Sequence, residues 1–256
     1  MFKDIVIRFI YHSCYTIEID DRVFVFDYFQ GRLPMDPQKK YIFIASHGHD
    51  DHFNEKIFEW GDFEKNTYIL SSDIANLKRK DNIVYLNKDK YSMGTRKKFS
   101  CPNVHFIAPY DEFFVDDLYL KAYGSTDQGI SLLVEHPYLN FYHSGDLNHW
   151  IWPEDTREER QKMQMDFSKE INAIFPKKPD IAFFPLDPRL GKYYDKGILE
   201  FVDTVKPQIL FPMHFQDQVE ITHRFKEEHP LTETTRFQTV EYPGQRFDIR
   251  LFIENP

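Results

Sequence analysis

The sequence predicts an α/β (α+β) fold in which two sheets lie between helical layers, a four-layer αββα sandwich. Short strand patterns occur in two runs, one at the start of the chain and one near its middle. Each run is followed by helical patterns, so each sheet has helices available to cover one face. These two observations carry the fold prediction.

The length and composition indicate a single domain over residues 1–256, built from two pseudo-repeated βα halves. The 256 residues include 25 Phe and 15 Tyr, enough apolar material for one sizeable core. Charged residues are spread along the chain, and no low-complexity stretch marks a linker. We therefore expect no internal domain boundary.

Charge and hydropathy exclude several classes of partner. The formal net charge of −9 argues against nonspecific nucleic-acid binding. No run of about eighteen apolar residues occurs, so no membrane association is expected. The N-terminal segment is charged where a secretory peptide would be apolar, and Cys14 and Cys101 lie far apart, which together favour the cytoplasm.

The first run of strands leads into a histidine-rich loop. Residues 5–10, 15–19 and 23–26 are predicted as a meander, with Asp20 and Asp21 in the turn before its last strand. Residues 42–45 (IFIA) are continuously apolar, as expected for a strand covered on both faces.

The middle of the chain predicts a βαβ unit and then a second sheet. Residues 68–70 and 83–86 are predicted strands, and Ser71 or Ser72 could cap a helix between them. Short alternating segments at 97–122, 130–134 and 139–142 predict a second run of antiparallel strands.

The last part of the chain alternates helices with strands. Between residues 154 and 175, apolar residues recur at spacings of three and four, which predicts an amphipathic helix packed on a sheet. The remaining patterns predict a strand at 181–185, a helix at 197–205, a strand at 209–211, a helix at 219–228 and a strand at 247–253.

The loop after residues 42–45 concentrates side chains that bind metals. His47 and His49 lie two positions apart, so in an extended segment their imidazoles point the same way and can hold one ion. Asp51 and His52 follow, where they can face a second ion. Asp50 has no ligand role in this arrangement. Nitrogen and oxygen ligands without cysteine permit zinc, manganese or iron.

Three segments resemble the metallo-β-lactamase superfamily of metal-dependent hydrolases. Residues 46–52 read SHGHDDH, which matches the HxHxDH signature after an apolar strand. Residues 141–146 (FYHSGD) and 211–215 (FPMHF) resemble two later strand-end motifs, in the expected order. The opening segment 11–18 (YHSCYTIE), together with MHF at 213–215, is similar to the branch that includes L-ascorbate-6-phosphate lactonase.

The resemblance implies a hydrolase that uses a metal-bound hydroxide on a small anionic ester, lactone or phosphodiester. It implies that Asp146 bridges two ions, that His214 completes the second site and that Asp27 supports the histidine loop. The expected metal ligands are His47, His49, Asp51, His52, Asp146 and His214, with Asp51 and His49 as catalytic residues. The expected cofactor is one or two divalent ions of zinc, manganese or iron.

One segment departs from the superfamily pattern. Residues 122–129 read AYGSTDQG, where the superfamily usually has a further histidine as third ligand of the first metal. Ser125 occupies the equivalent position, and Asp127 is the nearest strong ligand, so both are candidate substitutes. His105 and His143 are further alternatives, although a structural role is expected for each.

Substrate contacts are predicted in the loop at residues 184–194. Loops at strand ends carry such contacts, and Arg189 could clamp a phosphate or carboxylate in a bidentate manner. Tyr193 and His143 complete the predicted substrate-binding set. A solvated turn with tyrosine rings packed at its base explains the same loop equally well.

Other functions remain open. A nuclease of the same fold would need an inserted domain for which this chain has no room, and the acidic charge opposes it. A non-catalytic or regulatory protein that binds a metal or another ligand is the main alternative, because the first metal site lacks a histidine. A small-molecule substrate is the expected partner, and self-association into a homo-oligomer stays open.

Overall fold

The computed structural model describes residues 2–75, 78–80, 83–85, 91–230 and 235–252. The chain divides into two compact units. Unit 1 consists of Met1–Ala108 and Pro243–Pro256, and unit 2 consists of Pro109–Tyr242. No helix in the described ranges is long and apolar enough to span a bilayer.

The strands account for most of the regular structure. In chain order they are β1 (Phe2–Tyr11), β2 (Cys14–Ile19), β3 (Arg22–Phe26), β4 (Lys40–Ala45), β5 (Thr67–Ser71), β6 (Lys78–Lys80), β7 (Ile83–Tyr85), β8 (Val104–Ile107), β9 (Glu112–Val115), β10 (Leu118–Tyr123), β11 (Ser131–His136), β12 (Leu139–His143), β13 (Ile181–Pro185), β14 (Ile209–Met213), β15 (Arg236–Phe237) and β16 (Arg246–Phe252).

The helices lie between these strands. They are α1 (Met93–Lys98), α2 (Arg157–Ile174), α3 (Lys196–Val205) and α4 (Glu220–Glu228), with short 3-10 helices at Glu55–Glu59, Phe175–Lys177 and Pro188–Tyr193.

Unit 1 contains a seven-stranded mixed sheet in the order β16-β1-β2-β3-β4-β5-β8. Strands β3, β4, β5 and β8 run parallel to one another, whereas β16, β1, β2 and β3 form antiparallel pairs. Stacked aromatic rings fill one face, with Phe43 and Tyr68 only 5.4 Å apart between ring centroids. Phe and Tyr side chains of this unit therefore form part of its core.

Unit 2 contains a second seven-stranded mixed sheet, in the order β15-β14-β13-β12-β11-β10-β9. Strands β12 to β15 are parallel, and β9 to β12 are antiparallel. The predicted α/β class, with two mixed sheets and flanking helices, is confirmed.

Helix α2 shows how the local sequence sets an element's start. The hydroxyl of Thr156 accepts a hydrogen bond from the Glu159 backbone N–H, and the Glu159 side chain accepts one from the Thr156 backbone. This capping box satisfies two N-terminal donors, so the helix begins at Arg157 rather than at residue 154. Its buried face includes Phe167, Ile171 and Ile174, as the spacing predicts.

The helix predicted after Ser71 is not formed in residues 72–75, which make a turn. The Ser72 backbone N–H donates to the Ile107 carbonyl, and the Asp73 carboxylate accepts from the Gly48 backbone N–H. These tertiary hydrogen bonds hold the chain in a non-helical path. Strands β6 and β7 then pair antiparallel, so the predicted βαβ arrangement is wrong there. Leu86, in the predicted strand, lies outside the described residues.

The predicted second run of antiparallel strands starts later than residue 97. Residues up to Lys98 belong to α1, where the Ser92 hydroxyl caps the helix by accepting from the Thr95 N–H. Strand β8 pairs parallel with β5 in the first sheet, so the second sheet begins only at β9. At the C-terminus, Ile253 of the predicted last strand lies outside the described residues.

Replacing Gly197 with alanine is expected to destabilise unit 2. A Cβ at this position in α3 would lie 1.9 Å from Asn148 Oδ1 and 2.9 Å from the His149 backbone nitrogen, so buried chain must move. We expect a loss of about 1–3 kcal/mol in the free energy of unfolding, measured by urea denaturation. Gly94→Ala in α1 is the control, since its Cβ meets only Ser92 Oγ at 3.8 Å. Equal stability of the two variants would contradict this packing.

Candidate metal centre

In unit 1, parallel strands bring three polar segments to the same edge of the sheet. Asp27 follows β3, Ser46 follows β4, and Asp73 lies two residues beyond β5. Because β3, β4 and β5 are parallel, their carboxyl ends meet, which is where open α/β sheets place their sites. The Asp27 backbone N–H also donates to the Ile44 carbonyl at 2.9 Å, which fixes the exit of the chain from β3.

The Asp27 carboxylate is fully buried and accepts three hydrogen bonds. Its Oδ1 accepts from the Ser46 backbone N–H at 2.7 Å. Its Oδ2 accepts from the Ser46 hydroxyl at 2.7 Å and lies 2.8 Å from His52 Nδ1. An ionised carboxylate is only an acceptor, so the proton of this contact belongs to His52 Nδ1.

These contacts determine the tautomer of two histidines. The Ser46 hydroxyl has one proton, which it donates to Asp27, so its oxygen can only accept from His47 Nδ1 at 2.9 Å. In neutral His47 and His52, Nδ1 therefore carries the proton and Nε2 carries the lone pair.

The three imidazoles of the loop lie together. His47 Nε2 is 2.9 Å from His49 Nδ1, and the His47 ring centroid is 4.1 Å from that of His52. His47 and His52 are fully buried, whereas His49 is partly buried. The Gly48 N–H donates to Asp73 at 2.8 Å, which anchors the loop between the first two histidines.

Asp51 lies beside a histidine that was not predicted as a site residue. His12, in the turn between β1 and β2, places Nε2 3.4 Å from Asp51 Oδ2. The hydrogen bond from His12 holds the pKa of Asp51 well below its usual range, although partial burial opposes this. The Asp51 side chain is 45 % exposed, so an ionised carboxylate faces solvent. Ligand atoms of His12, Asp51 and His52 lie within 4.8 Å of one another.

Unit 2 also places polar residues at the carboxyl ends of parallel strands. Strands β12, β13 and β14 are parallel, and Asp146, Asp187 and His214 follow their carboxyl ends. His214 Nε2 lies 3.3 Å from Asp146 Oδ1, and His214 Nδ1 lies 3.0 Å from Asp187 Oδ2. One imidazole thus lies between two carboxylates.

The pKa values of His214 and Asp187 each depend on the charge of the neighbouring groups. Burial alone would lower the pKa of His214, but the carboxylates of Asp146 and Asp187 outweigh it and raise the pKa to about 10. Burial would raise the pKa of Asp187, but hydrogen bonds from His214 and Arg189 bring it to about 2. A cation held at His214 Nε2 would have to displace the proton there.

The predicted substrate residues lie at different depths. Arg189 donates from Nε to both oxygens of Asp187, at 3.0 and 2.9 Å, so it orients the partner of His214. Tyr193 is partly exposed and accepts from Arg160 at 3.0 Å. His143 is buried, and its Nδ1 accepts from the Gly145 N–H at 3.2 Å, which shapes the turn before Asp146.

The loop at residues 122–129, which has no histidine, places one carboxylate near Asp146. Asp127 is exposed, and one of its oxygens lies within 4.8 Å of an Asp146 oxygen. Its backbone N–H donates to the Ser125 hydroxyl at 3.2 Å. The Thr126 hydroxyl donates to the Asn148 carbonyl at 2.6 Å, which ties this loop to the Asp146 loop. Of the two earlier alternatives, His105 lies on the edge strand β8.

The donor set within each unit fits a divalent transition metal. Imidazole nitrogens and carboxylate oxygens suit zinc, manganese and iron. Ligating histidines usually donate their second ring N–H to a carboxylate or other acceptor, and His47, His52 and His214 have Ser46, Asp27 and Asp187 in that place. Unit 1 brings His47, His49, Asp51 and His52 together, and unit 2 brings Asp146 and His214 together.

Three residues of these clusters have left-handed backbone angles. The φ values are 55° at His12, 44° at Asp27 and 67° at His214. Non-glycine residues in this region cost about 1–3 kcal/mol each and concentrate at functional sites. The surrounding hydrogen bonds therefore hold a strained arrangement.

His12 was not predicted as a site residue, and no role was predicted for Asp73 or Asp187. Asp187 could have been found, because it follows a predicted buried strand just as Asp27 and His214 do. His12 lies in a turn between antiparallel strands, and no spacing rule singles it out.

Comparison with known proteins identifies the fold. A family profile described as "Beta-lactamase superfamily domain" matches residues 6–214. No curated protein sequence matches the chain. The chain is similar to Igni18, a metallo hydrolase from the archaeon Ignicoccus hospitalis KIN4/I, with 13 % sequence identity and a TM-score of 0.59. The match covers 96 % of this chain and 98 % of Igni18.

Two further structures are similar at the level of the fold. One is an isothiocyanate hydrolase from Delia radicum gut bacteria, with 13 % identity, 94 % and 98 % coverage and a TM-score of 0.57. The other is CmlA, a diiron β-hydroxylase from Streptomyces venezuelae, with 10 % identity, 96 % coverage of this chain, 54 % of that chain and a TM-score of 0.56.

Asp27→Asn is expected to weaken metal binding without unfolding the chain. The new amide must place its NH₂ toward Ser46 Oγ and His52 Nδ1, because Oδ1 still has to accept from the Ser46 N–H. Both histidines then take the other tautomer and lose the Nε2 lone pair. We expect zinc affinity to fall by about 10–100-fold, measured by competition with a chromophoric chelator.

The matched control for this substitution is Asp21→Asn, in the exposed turn between β2 and β3. It makes the same change of charge away from the histidine loop, so zinc affinity should be unchanged. If Asp27→Asn binds zinc as tightly as Asp21→Asn does, the tautomer argument is wrong.

Proposed function

This chain belongs to the metallo-β-lactamase superfamily, and from that premise we propose that it is a metal-dependent hydrolase of a small ester, lactone or phosphodiester. The observation that carries the proposal is the buried imidazole cluster of unit 1, in which Ser46 and Asp27 keep Nε2 of His47 and of His52 unprotonated. An unprotonated imidazole nitrogen is the form that coordinates a metal ion.

The residues that would hold the cations are His47, His49, Asp51, His52, Asp146 and His214, with Asp127 or Ser125 in the place of the absent histidine. When bound, a divalent cation would supply Lewis acidity, which lowers the pKa of water from about 15.7 to about 7 and polarises a carbonyl or phosphoryl oxygen. Zinc, manganese and iron all suit these donors.

The chain's own residues orient the reaction. Asp51 stays ionised because of His12, so its carboxylate can accept a hydrogen bond from the attacking water. Arg189 holds Asp187 against His214 Nδ1, so the His214 ring keeps its orientation. Trp150 packs on the His214 ring at 5.4 Å between centroids and limits the access of water from that side.

The finer assignment also belongs to this proposal. The YHSCYTIE and MHF segments support a place near the L-ascorbate-6-phosphate lactonase-like branch, and an anionic substrate fits the basic residues of the 184–194 loop. Cys14 and Cys101 are both free, which agrees with the reducing cytoplasm.

The alternative is a non-catalytic protein that binds a metal or another ligand on the same fold. The observation that favours it is Ser125 at the position where the superfamily usually has a histidine. A first metal held by fewer ligands could serve structure or sensing alone.

Metal analysis and hydrolysis assays separate the two functions. We expect one or two equivalents of metal, and hydrolysis of a bis-aryl phosphodiester or of a lactone that is lost with chelator and restored by zinc or manganese. His52→Asn should lower kcat/KM by roughly 100-fold or more, since a ligand matters at least as much as an outer-shell partner.

His223→Gln is the control for the histidine variant, because His223 makes an exposed contact with Glu241. Its activity should equal that of the unmodified protein. Activity that survives chelation would contradict the hydrolase proposal, and metal binding without any hydrolysis would favour the non-catalytic alternative.

A further inference from the structure

Unit 2 has a second polar site that the metal ligands do not explain. A cavity of about 440 Å³ is lined by Pro153, Arg160, Leu190, Lys192 and Tyr193. Two of these side chains are cations, and none of these five described residues is a carboxylic acid. In a chain with a net charge of −9, such a lining is a local concentration of positive charge.

Arg160 is held rigidly by neutral groups. Its Nη1 donates to the Tyr193 hydroxyl at 3.0 Å, and its Nη2 donates to the carbonyls of Trp152 and Pro153 at 3.2 and 3.1 Å. These acceptors are neutral, so they fix the guanidinium in place without giving it a carboxylate partner from the described part of the chain. The neighbouring Lys162, in contrast, is paired with Asp166 at 2.5 Å.

Tyr193 lies between the two cations. The guanidinium of Arg160 is 5.3 Å and the ammonium of Lys192 is 5.0 Å from its ring centroid. The phenol oxygen accepts from Arg160, so its own proton can be donated to a further acceptor. Hydrogen bonding from Lys192 and the charge of Arg160 lower the pKa of Tyr193, which makes it a stronger donor.

Two tryptophans connect this cavity to the metal-binding edge of unit 2. The Trp152 ring stacks on Trp150 with centroids 6.1 Å apart and planes at 4°, and Trp150 contacts the His214 ring. The guanidinium of Arg189 lies 5.7 Å over the Trp152 ring. A row of contacting rings thus leads from Trp152, whose carbonyl binds Arg160 of the cavity, to His214.

We propose that Lys192, Arg160 and Tyr193 bind the oxyanion end of a small substrate, a phosphate or a carboxylate, whose scissile group lies near His214. Lys192 supplies the mobile charge, Arg160 the fixed charge and Tyr193 a hydrogen bond to the oxyanion. The identity of the scissile group rests on the proposed hydrolase function, whereas the anion site itself does not.

The direct test is the binding of inorganic phosphate and of acetate to the full-length protein, measured by calorimetry with and without chelator. We expect phosphate binding that persists in the presence of chelator, and Lys192→Gln and Tyr193→Phe should each weaken it by about tenfold. The ratio of phosphate to acetate affinity then shows which oxyanion the site prefers. Lys162→Gln is the matched control, since it removes the same charge from a residue already paired with a carboxylate.

The outcomes separate this site from the hydrolase function. Phosphate binding that disappears with chelator, or that is equally strong in Lys192→Gln and Lys162→Gln, would overturn the site. Weaker phosphate binding in both Lys192→Gln and Tyr193→Phe supports the anion site even if no substrate is hydrolysed. If the protein is a hydrolase, Lys192→Gln should raise KM for an anionic substrate and leave kcat and the KM for a neutral ester unchanged.

Discussion

The buried carboxylate of Asp27 determines what the histidine loop can do. It accepts from the Ser46 backbone, the Ser46 hydroxyl and His52, and through Ser46 it also orients His47. One ionised group therefore sets two imidazole tautomers, and both Nε2 atoms are left as acceptors of a proton or a cation. A buried carboxylate is costly unless its donors are in place. Asp27, in a left-handed conformation directly after β3, has donors from Ser46 and His52.

Each unit orients an imidazole with a buried carboxylate, but the two units use different residues. In each, three parallel strands end at one edge, and a carboxylate after one strand orients an imidazole after another or in the loop that follows it. Asp27 orients His52 in unit 1, and Asp187 orients His214 in unit 2. In unit 2 an arginine fixes the carboxylate, whereas in unit 1 a serine does so. The pairing of an imidazole with a buried carboxylate is thus a property of the strand ends rather than of one motif.

Much of the fold was predictable because burial leaves local patterns. The apolar run at residues 42–45 and the buried face of α2 gave the correct elements, since each depends on a few neighbouring side chains. The helix predicted after Ser71 was wrong because Ser72 donates a hydrogen bond to Ile107 and Asp73 accepts one from Gly48, and neither partner is near in sequence. That the imidazoles of His47, His49 and His52 lie together was predictable from their spacing in one loop. His12 was not, because a turn between antiparallel strands brings it to Asp51.

The central claim is that Asp27 and Ser46 fix His47 and His52 as metal ligands through Nε2. Anomalous diffraction from crystals grown with zinc or manganese tests it most directly, because the signal locates the ions independently of any assumed ligand. The account predicts anomalous signal at about 2.0–2.1 Å from Nε2 of His47 and from Nε2 of His52. No signal at these side chains, or coordination through Nδ1 instead, would contradict it.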